Sequence, residues 1–219
     1  MISINKKTEA HLERLIKRYP ELNSTRNDIL KAFLIMETTY EHGGKVLIAG
    51  NGGSAADSEH FAGELMKRFI IPRPIKNEFA AKLASIDKIR GEKLSQQLER
   101  GLTAIPLVAH ESLSTAFIND VGGDGLFAQQ LLGFGRPGDA FLAISTSGNS
   151  ENILSAAVVA KSLDINTIGL TGSTGGTLAS FSDVCVKVPA DETYMIQEYH
   201  LPVYHCWAMM LEEHFFKKN

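Results

Sequence analysis

Ser145-Thr146-Ser147-Gly148-Asn149-Ser150 stands between an apolar run, Ala140-Phe141-Leu142-Ala143-Ile144, and a helical pattern that opens at Glu151. Four hydroxyl side chains and a glycine thus fall where a buried strand hands over to a helix. There the hydroxyls and the free backbone N–H groups of the helix can converge on an anion, holding a phosphate without any lysine. Taken alone, the same residues also make an ordinary serine-rich turn with Ser150 as the N-cap. Two similar junctions weigh against that plain reading. Gly50-Asn51-Gly52-Gly53-Ser54 follows Lys45-Val46-Leu47-Ile48-Ala49, and Thr171-Gly172-Ser173-Thr174-Gly175-Gly176 follows Asn166-Thr167-Ile168-Gly169-Leu170. Three strand ends carrying Gly/Ser/Thr loops mark the edge of an open α/β sheet at which ligands bind.

Outward from these junctions the chain alternates. On the C-terminal side a helix over 151–163, a strand over 167–170, a short helix near 177–181 and a strand over 184–188 follow one another, and a long helix over 194–216 ends the chain. Repeated strand-helix alternation predicts a three-layer, doubly wound parallel sheet with helices on both faces. On the N-terminal side Leu12, Leu15 and Ile16 repeat at helical spacing over 4–19 before Pro20, and Ile29, Leu30, Phe33, Leu34 and Met36 give 25–42 a wide apolar face that Gly43-Gly44 stops. Residues 1–43 therefore read as a helical hairpin with more apolar surface than one sheet covers, and subunit association is its expected outlet. A third helix over 54–69 ends before Pro72 and Pro74. Residues 70–102 read as an inserted segment of one or two solvated helices. The strand expected over 104–109 contains Pro106, which places it near a sheet edge or starts its pairing after the proline. Ser114 to Asp120 leads through Gly122-Gly123-Asp124-Gly125 into a helix over 126–134.

With 219 residues and no Pro-, Gly- or Ser-rich linker, the chain is expected to form one domain over 1–219. A net charge of -3 leaves no basic excess for neutralising nucleic-acid phosphates. Two cysteines, Cys185 and Cys206, both in apolar settings, exclude a disulfide framework and a thiolate metal site and suit a reducing cytoplasm. Met1 to Asn5 has no export-signal pattern, and no run of 18 apolar residues predicts a membrane span.

Two helical patterns carry paired polar residues on otherwise apolar faces. His60 and Glu64 are four apart, and Gln197 and His205 eight apart, so each pair projects from one side of its helix. Two imidazoles, a carboxylate and an amide oxygen make a possible four-ligand set for a divalent ion such as zinc. The plainer alternative is a surface His/Glu pair and a core histidine. His200, three residues after Gln197, competes with His205 for any role, while His11, His42, His110 and His214 read as solvent or cap residues. Met195, Met209, Met210 and Trp207 read as packing.

Taken in order, Gly50 to Asp57, His60, Glu64, Asn119-Asp120, Ser145 to Ser150, Gln197-Glu198 and His205 resemble the phosphoheptose isomerase family of the sugar isomerase (SIS) domain group, over nearly the whole chain. The serine loop is shared by SIS domains generally, and the His-x3-Glu and Gln-x7-His pairs point to the isomerase. The resemblance implies a flavodoxin-like SIS fold and a homotetramer with active sites between subunits. It implies conversion of sedoheptulose 7-phosphate to D-glycero-D-manno-heptose 7-phosphate, the first step toward nucleotide-activated heptose for surface polysaccharide. Carried over residue by residue, Ser145, Thr146, Ser147 and Ser150 hold the phosphate, Asn51, Gly52, Gly53 and Ser54 line the sugar, and Arg68, Asn119, Asp120 and Gln197 contact substrate. Glu64 falls on the base and His205 on the acid, with zinc expected on His60, Glu64, Gln197 and His205. Tyr194 departs from the small polar residue that the family often has three positions before the glutamine.

Two other classes compete. A non-catalytic SIS module binding a sugar phosphate or a protein partner, of the kind that regulates replication initiation, would keep the serine loop but need neither Glu64 nor His205. A dinucleotide-dependent oxidoreductase is suggested by Gly50-x-Gly52-x-x-Ala55, yet no strand with an acidic end follows at the required distance and Pro72 and Pro74 stand there instead. Without a Gly-x4-Gly-Lys-Ser/Thr motif, a P-loop hydrolase is also disfavoured.

Overall fold

Short, wholly apolar runs become the central strands because a parallel strand covered by helices is buried on both sides. In the computed structural model, which describes residues 5–217, β1 (Val46–Ala49) and β3 (Ala140–Ile144) are buried at every position. With β2 (Ala104–Pro106), β4 (Asn166–Thr171) and β5 (Val184–Lys187) they form one parallel sheet in the order β2-β1-β3-β4-β5. This is the flavodoxin-like order of a doubly wound fold. Its direction of progression reverses between β1 and β3, so the loops leaving those two strands flank the crevice where such folds bind ligands.

One face of the sheet carries α1 (Lys6–Arg18), α2 (Arg26–Glu41), α3 (Gly53–Met66) and α10 (Thr193–Phe216), packed through Leu12, Phe33, Phe61, Leu65 and Trp207. The indole N–H of Trp207 donates to the Ile29 carbonyl at 2.9 Å, tying α10 to α2. The other face carries α7 (Leu126–Phe134), α8 (Glu151–Ser162) and the short α9 (Leu178–Phe181), packed through Phe127, Leu131, Ile153, Ala156, Ala160 and Leu178. Between β1 and β2 lie α4 (Asn77–Ile86) and α5 (Lys88–Gln97), and α6 (Glu111–Asp120) follows β2. Among the described residues no helix is long and apolar enough to cross a membrane.

Several expectations shift. Residues 70–102 form two helices, and their apolar side chains remain outside: Phe79, Ile86 and Ile89 are all exposed, the last at 81%. Leu12, Leu15, Ile29, Phe33 and Met36 of the N-terminal pair are buried against the chain's own sheet and α10, while exposed apolar side chains lie on the inserted hairpin and also on α6 and α8. The strand expected to reach residue 109 ends at Pro106, the last residue paired with β1, and Leu107–Ala109 curls into a 3-10 turn. At the sheet edge the proline's missing donor breaks no ladder. Ser114–Asp120 belongs to α6, which begins at Glu111. Ile4, where the first helix was expected to start, is outside the described residues, and Asn5 caps α1 by accepting from Lys7 N at 3.0 Å. The helix expected to run to Phe69 stops at Met66, because the amides of Phe69 and Ile70 donate instead to the Glu212 carboxylate, each at 2.8 Å.

Candidate active site

The β1 and β3 loops close on a cavity of about 290 Å³ lined by Asn51, Gly52, Gly53, Ser54, Ile144, Ser145, Thr146, Ser150, Thr193 and Gln197. Ser150 precedes α8 without capping it through its side chain. Its hydroxyl instead lies 3.1 Å from the Ser145 hydroxyl, which also accepts from Gly148 N at 3.1 Å. No side chain caps the first turn of α8, and beside the serine-turn bonds of the loop this leaves hydroxyls and amides that could face an anion. Gly52, at φ 56°, makes the turn into α3. Gly53 leaves room for Gln197: a Cβ there would lie 2.4 Å from the glutamine's Nε2.

The third Gly/Ser/Thr loop does not line the cup. It braces the second: Thr177 N donates to the Asn149 side-chain oxygen at 2.9 Å, Gly172 N to Thr146 O at 2.9 Å and Leu178 N to Gly148 O at 2.9 Å. Gly148, at φ 66°, allows the approach, since a Cβ there would meet Gly175 O at 2.1 Å. Ser147 is exposed and accepts from Asn149 N at 3.1 Å, outside the cavity lining.

Further along α3 and α10 from the cup, the expected proton-transfer groups meet. His60 Nε2 is 3.3 Å from Glu64 Oε1 and 3.5 Å from His205 Nε2. Tyr204, buried on α10, donates its phenol to Asp57 Oδ1 at 3.1 Å, so its oxygen presents a lone pair to His60 Nδ1 at 3.0 Å. Neutral His60 then carries its proton on Nδ1 and turns the lone pair of Nε2 toward Glu64 and His205. Burial, reinforced by His60, lowers the His205 pKa from its ordinary value despite the opposing pull of Glu64, which keeps this imidazole neutral at pH 7. Burial raises Asp57 above the usual carboxylate range, against the Tyr204 bond and His60. His205, with Phe69 and Arg14, also lines a second cavity of about 260 Å³.

His200 is fully buried, neither ring nitrogen has a hydrogen-bond partner, and it lines neither cavity, whereas His205 faces His60 and lines the second cavity. Arg68 is largely exposed and pairs with Glu99 at 3.3 Å; Asn119 and Asp120 are exposed on α6, bonded to each other at 2.9 Å. Within one chain these three are not brought to the cup. A larger cavity of about 650 Å³, between Arg18–Glu21 and Pro189–Glu192, is lined by none of the expected substrate or catalytic residues.

Model matches for SIS domains cover residues 10–101 and 112–211. The phosphoheptose isomerase of Aneurinibacillus thermoaerophilus is 41% identical over 180 residues, 82% of this chain and 78% of the relative. That of Helicobacter pylori strain P12 is 37% identical over 216 residues, 99% of this chain and 97% of the relative. The solved phosphoheptose isomerase of Francisella tularensis superposes with a TM-score of 0.74 at 31% identity, covering 95% of this chain and 97% of that one. The chain belongs to the phosphoheptose isomerase family.

For this family member the donor types at His60, Glu64 and His205 suit zinc. An imidazole lone pair aimed at a carboxylate is favourable only with a proton or a cation between them. The 3.3 and 3.5 Å separations also match two edges of a tetrahedron around an ion with bonds of about 2.0–2.1 Å, which are roughly 3.3–3.4 Å long. The fit extends to those two edges: among the described residues no three His, Cys, Asp or Glu side chains form a closed metal-holding group, and Gln197 sits in the cup.

Sequence reasoning passed over three residues here. Thr193, the first residue of α10, joins the cup lining. Asn152 exchanges two 2.9 Å hydrogen bonds with Asn51, bridging the β1 and β3 junctions. Tyr204 orients His60. Asn152 lies two residues beyond the serine loop and was open to notice; Tyr204 looks like any core aromatic, and only the packing of α10 on α3 reveals its hydroxyl partner.

Proposed function

We propose that this isomerase interconverts sedoheptulose 7-phosphate and D-glycero-D-manno-heptose 7-phosphate through an enediol. Moving the carbonyl between C2 and C1 needs one group to take a carbon-bound proton and another to manage the oxygens. The observation that carries this reading is that the same two helices furnish both ends of the site. Gly53 and Ser54 at the start of α3 line the cup while His60 and Glu64 lie two to three turns on; Gln197 lines it from α10 and His205 lies about 12 Å further along that helix. A phosphate in the cup thus directs a long sugar chain toward the carboxylate and the imidazole.

Ser145, Thr146, Ser150 and the α8 amides hold the phosphate, and Asn51, Ser54 and Gln197 meet the sugar hydroxyls. Glu64 removes the proton from C1 and returns it to C2, and neutral His205 exchanges a proton with the enediol oxygens, as an imidazole of lowered pKa can. His60, Glu64 and His205 would hold zinc, with Gln197 completing the set once its side chain turns from the cup, and the ion when bound would polarise the carbonyl. Arg68, Asn119 and Asp120 reach the substrate from a second copy in a homotetramer, and the cytoplasm, where sugar phosphates are made, is the compartment of this chemistry.

Purified protein incubated with sedoheptulose 7-phosphate, with and without added zinc, tests the proposal. Turnover by the native chain and its loss in Glu64→Gln, by about 10²- to 10⁴-fold, is expected. Absence of product under both conditions would hand the site to a non-catalytic sugar-phosphate sensor.

A further inference from the structure

Arg73 follows α3 by seven residues and is fully buried, and Glu212, its partner across the domain, is 1% exposed. Such a pair is costly to bury unless hydrogen bonds compensate it, and here the guanidinium donates three and the carboxylate accepts three. The Arg73 Nε donates to Glu212 Oε1 at 2.9 Å, Nη1 to the Leu65 carbonyl at 2.7 Å and Nη2 to the Glu64 carbonyl at 3.2 Å. The guanidinium carbon lies 4.4 Å from the centre of the Phe216 ring. Glu212 in turn accepts from the amides of Phe69 and Ile70.

These bonds replace a glycine cap. Lys67 leaves α3 in extended conformation, φ -136° and ψ 177°; Leu102 N caps the Leu65 carbonyl at 2.9 Å, and Arg73 adds a second donor there and the bond to the Glu64 carbonyl. A planar guanidinium serves two carbonyls and a carboxylate at once, and its charge faces the negative end of the helix dipole. One of those carbonyls belongs to Glu64 itself. Glu212 lies seven residues beyond His205 on the same side of α10, and the turn it clamps carries Phe69, whose ring centre is 5.2 Å from that of His205.

We infer that the buried Arg73–Glu212 pair is a positioning device for the reaction: it fixes the backbone of Glu64 and the Phe69 wall of His205 relative to each other. This rests on Glu64 and His205 being the proton-transfer pair. The mutual placement of carboxylate and imidazole depends on this bridge beside the Tyr204–Asp57 bond that also joins the two helices, and a shift of about 1 Å in such a pair lowers turnover by up to about 10²-fold.

Arg73→Lys tests it, since lysine keeps the charge beside Glu212 but cannot hold both carbonyls in a fork. Expected is a folded enzyme whose kcat per folded molecule falls by about tenfold or more while KM stays within about twofold, with faster hydrogen exchange at the Phe69 and Ile70 amides. A role in stability alone would lower the melting temperature and leave kcat per folded molecule native, and that result overturns the inference. If Arg73→Lys does not fold, Phe216→Leu decides in the same way, because it removes the aromatic face under the guanidinium and leaves both charged partners in place. Glu64→Gln is assayed alongside. Native turnover in Glu64→Gln withdraws the reading of the site, whereas an inert Glu64→Gln beside a fully active Arg73→Lys withdraws only the positioning role.

Discussion

Gly53→Ala separates stability from activity at the point where α3 enters the cup. Gly53 is the first residue of that helix, and a Cβ built on it would lie 2.4 Å from Gln197 Nε2, 2.9 Å from its Cδ and 3.0 Å from its Oε1. Ordinary contact begins near 3.4 Å, so the amide must retreat by about 1 Å. Every crowded atom is the far end of a flexible side chain, so the backbone has no reason to move. With no left-handed φ at this position, replacing glycine by alanine stabilises by about 0.4–1 kcal/mol through the unfolded chain. The helix should therefore become slightly more stable while Gln197 swings away from the substrate. A displacement of that size in a positioning group costs about 10²-fold in turnover. Urea unfolding and initial rates on sedoheptulose 7-phosphate read the two effects, with Gly133→Ala as the control. Gly133 lies in α7 with nothing within 4 Å of its would-be Cβ, so it should gain similar stability and keep full activity. A folded Gly53→Ala enzyme turning over within about twofold of native would refute the placement of Gln197 at the substrate.

Asp139, 2% exposed, accepts from Lys45 N, Lys45 Nζ and Arg136 N at 3.0, 2.6 and 2.8 Å, so Asp139→Ala should lower unfolding free energy by about 3 kcal/mol in urea titrations. Tyr204→Phe removes the phenol that holds His60 Nδ1 and should weaken zinc binding by about 10- to 100-fold in chelator competition with secondary structure unchanged. Unaltered affinity would show that the hydroxyl does not orient the ring. Burial lowers the His200 pKa to about 4 from 6.5, so the unfolded chain takes up a proton that the folded one refuses. Stability from this site is complete above pH 6.5 and falls by about 3 kcal/mol on going to pH 4, a slope that His200→Leu should flatten in pH-dependent urea midpoints.

What the sequence revealed followed from local physics. Apolar runs ending in Gly/Ser/Thr loops fixed the sheet, its edge and the cup, because buried parallel strands and phosphate-holding turns each leave a signature within a few residues. Pro106 correctly marked the edge strand. The spacing of His60 and Glu64 put them on one face, but that His205 comes within 3.5 Å of His60 depends on how α10 crosses α3, which no periodicity encodes. The end of α3 was misread for the same reason: nothing near Met66 signals a stop, and the residue that takes the amides of Phe69 and Ile70 is Glu212, 143 and 142 positions away. That Leu12 and Phe33 pack with α10, the last element of the chain, is another long-range contact that no local pattern announces. The solvated character of the inserted helices was legible in their charges, and Ile86 and Ile89 are exposed there.

The two levels of the site differ in how they are held, and the difference follows from their chemistry. The cup is made of backbone turns braced by a third loop, with Gly148 pressed against Gly175 and Asn149 bonded to Thr177, so its hydroxyls keep their places through hydrogen bonds between neighbouring loops of the sheet edge. A phosphate accepts from any donor that points inward, and such a scaffold suffices for it. Proton transfer is more exacting, because a carboxylate and an imidazole must meet the same two carbons within hydrogen-bond reach. Their helices arise at opposite ends of the sequence and no local bond joins them. Distant side chains supply the register instead: Tyr204 to Asp57 and His60 on the substrate side, Arg73 to Glu212 at the far end of α3. On the proposed mechanism, the groups that fix the chemistry are buried polar side chains of α3, of α10 and of the turn after α3, outside the serine loop proposed to hold the phosphate.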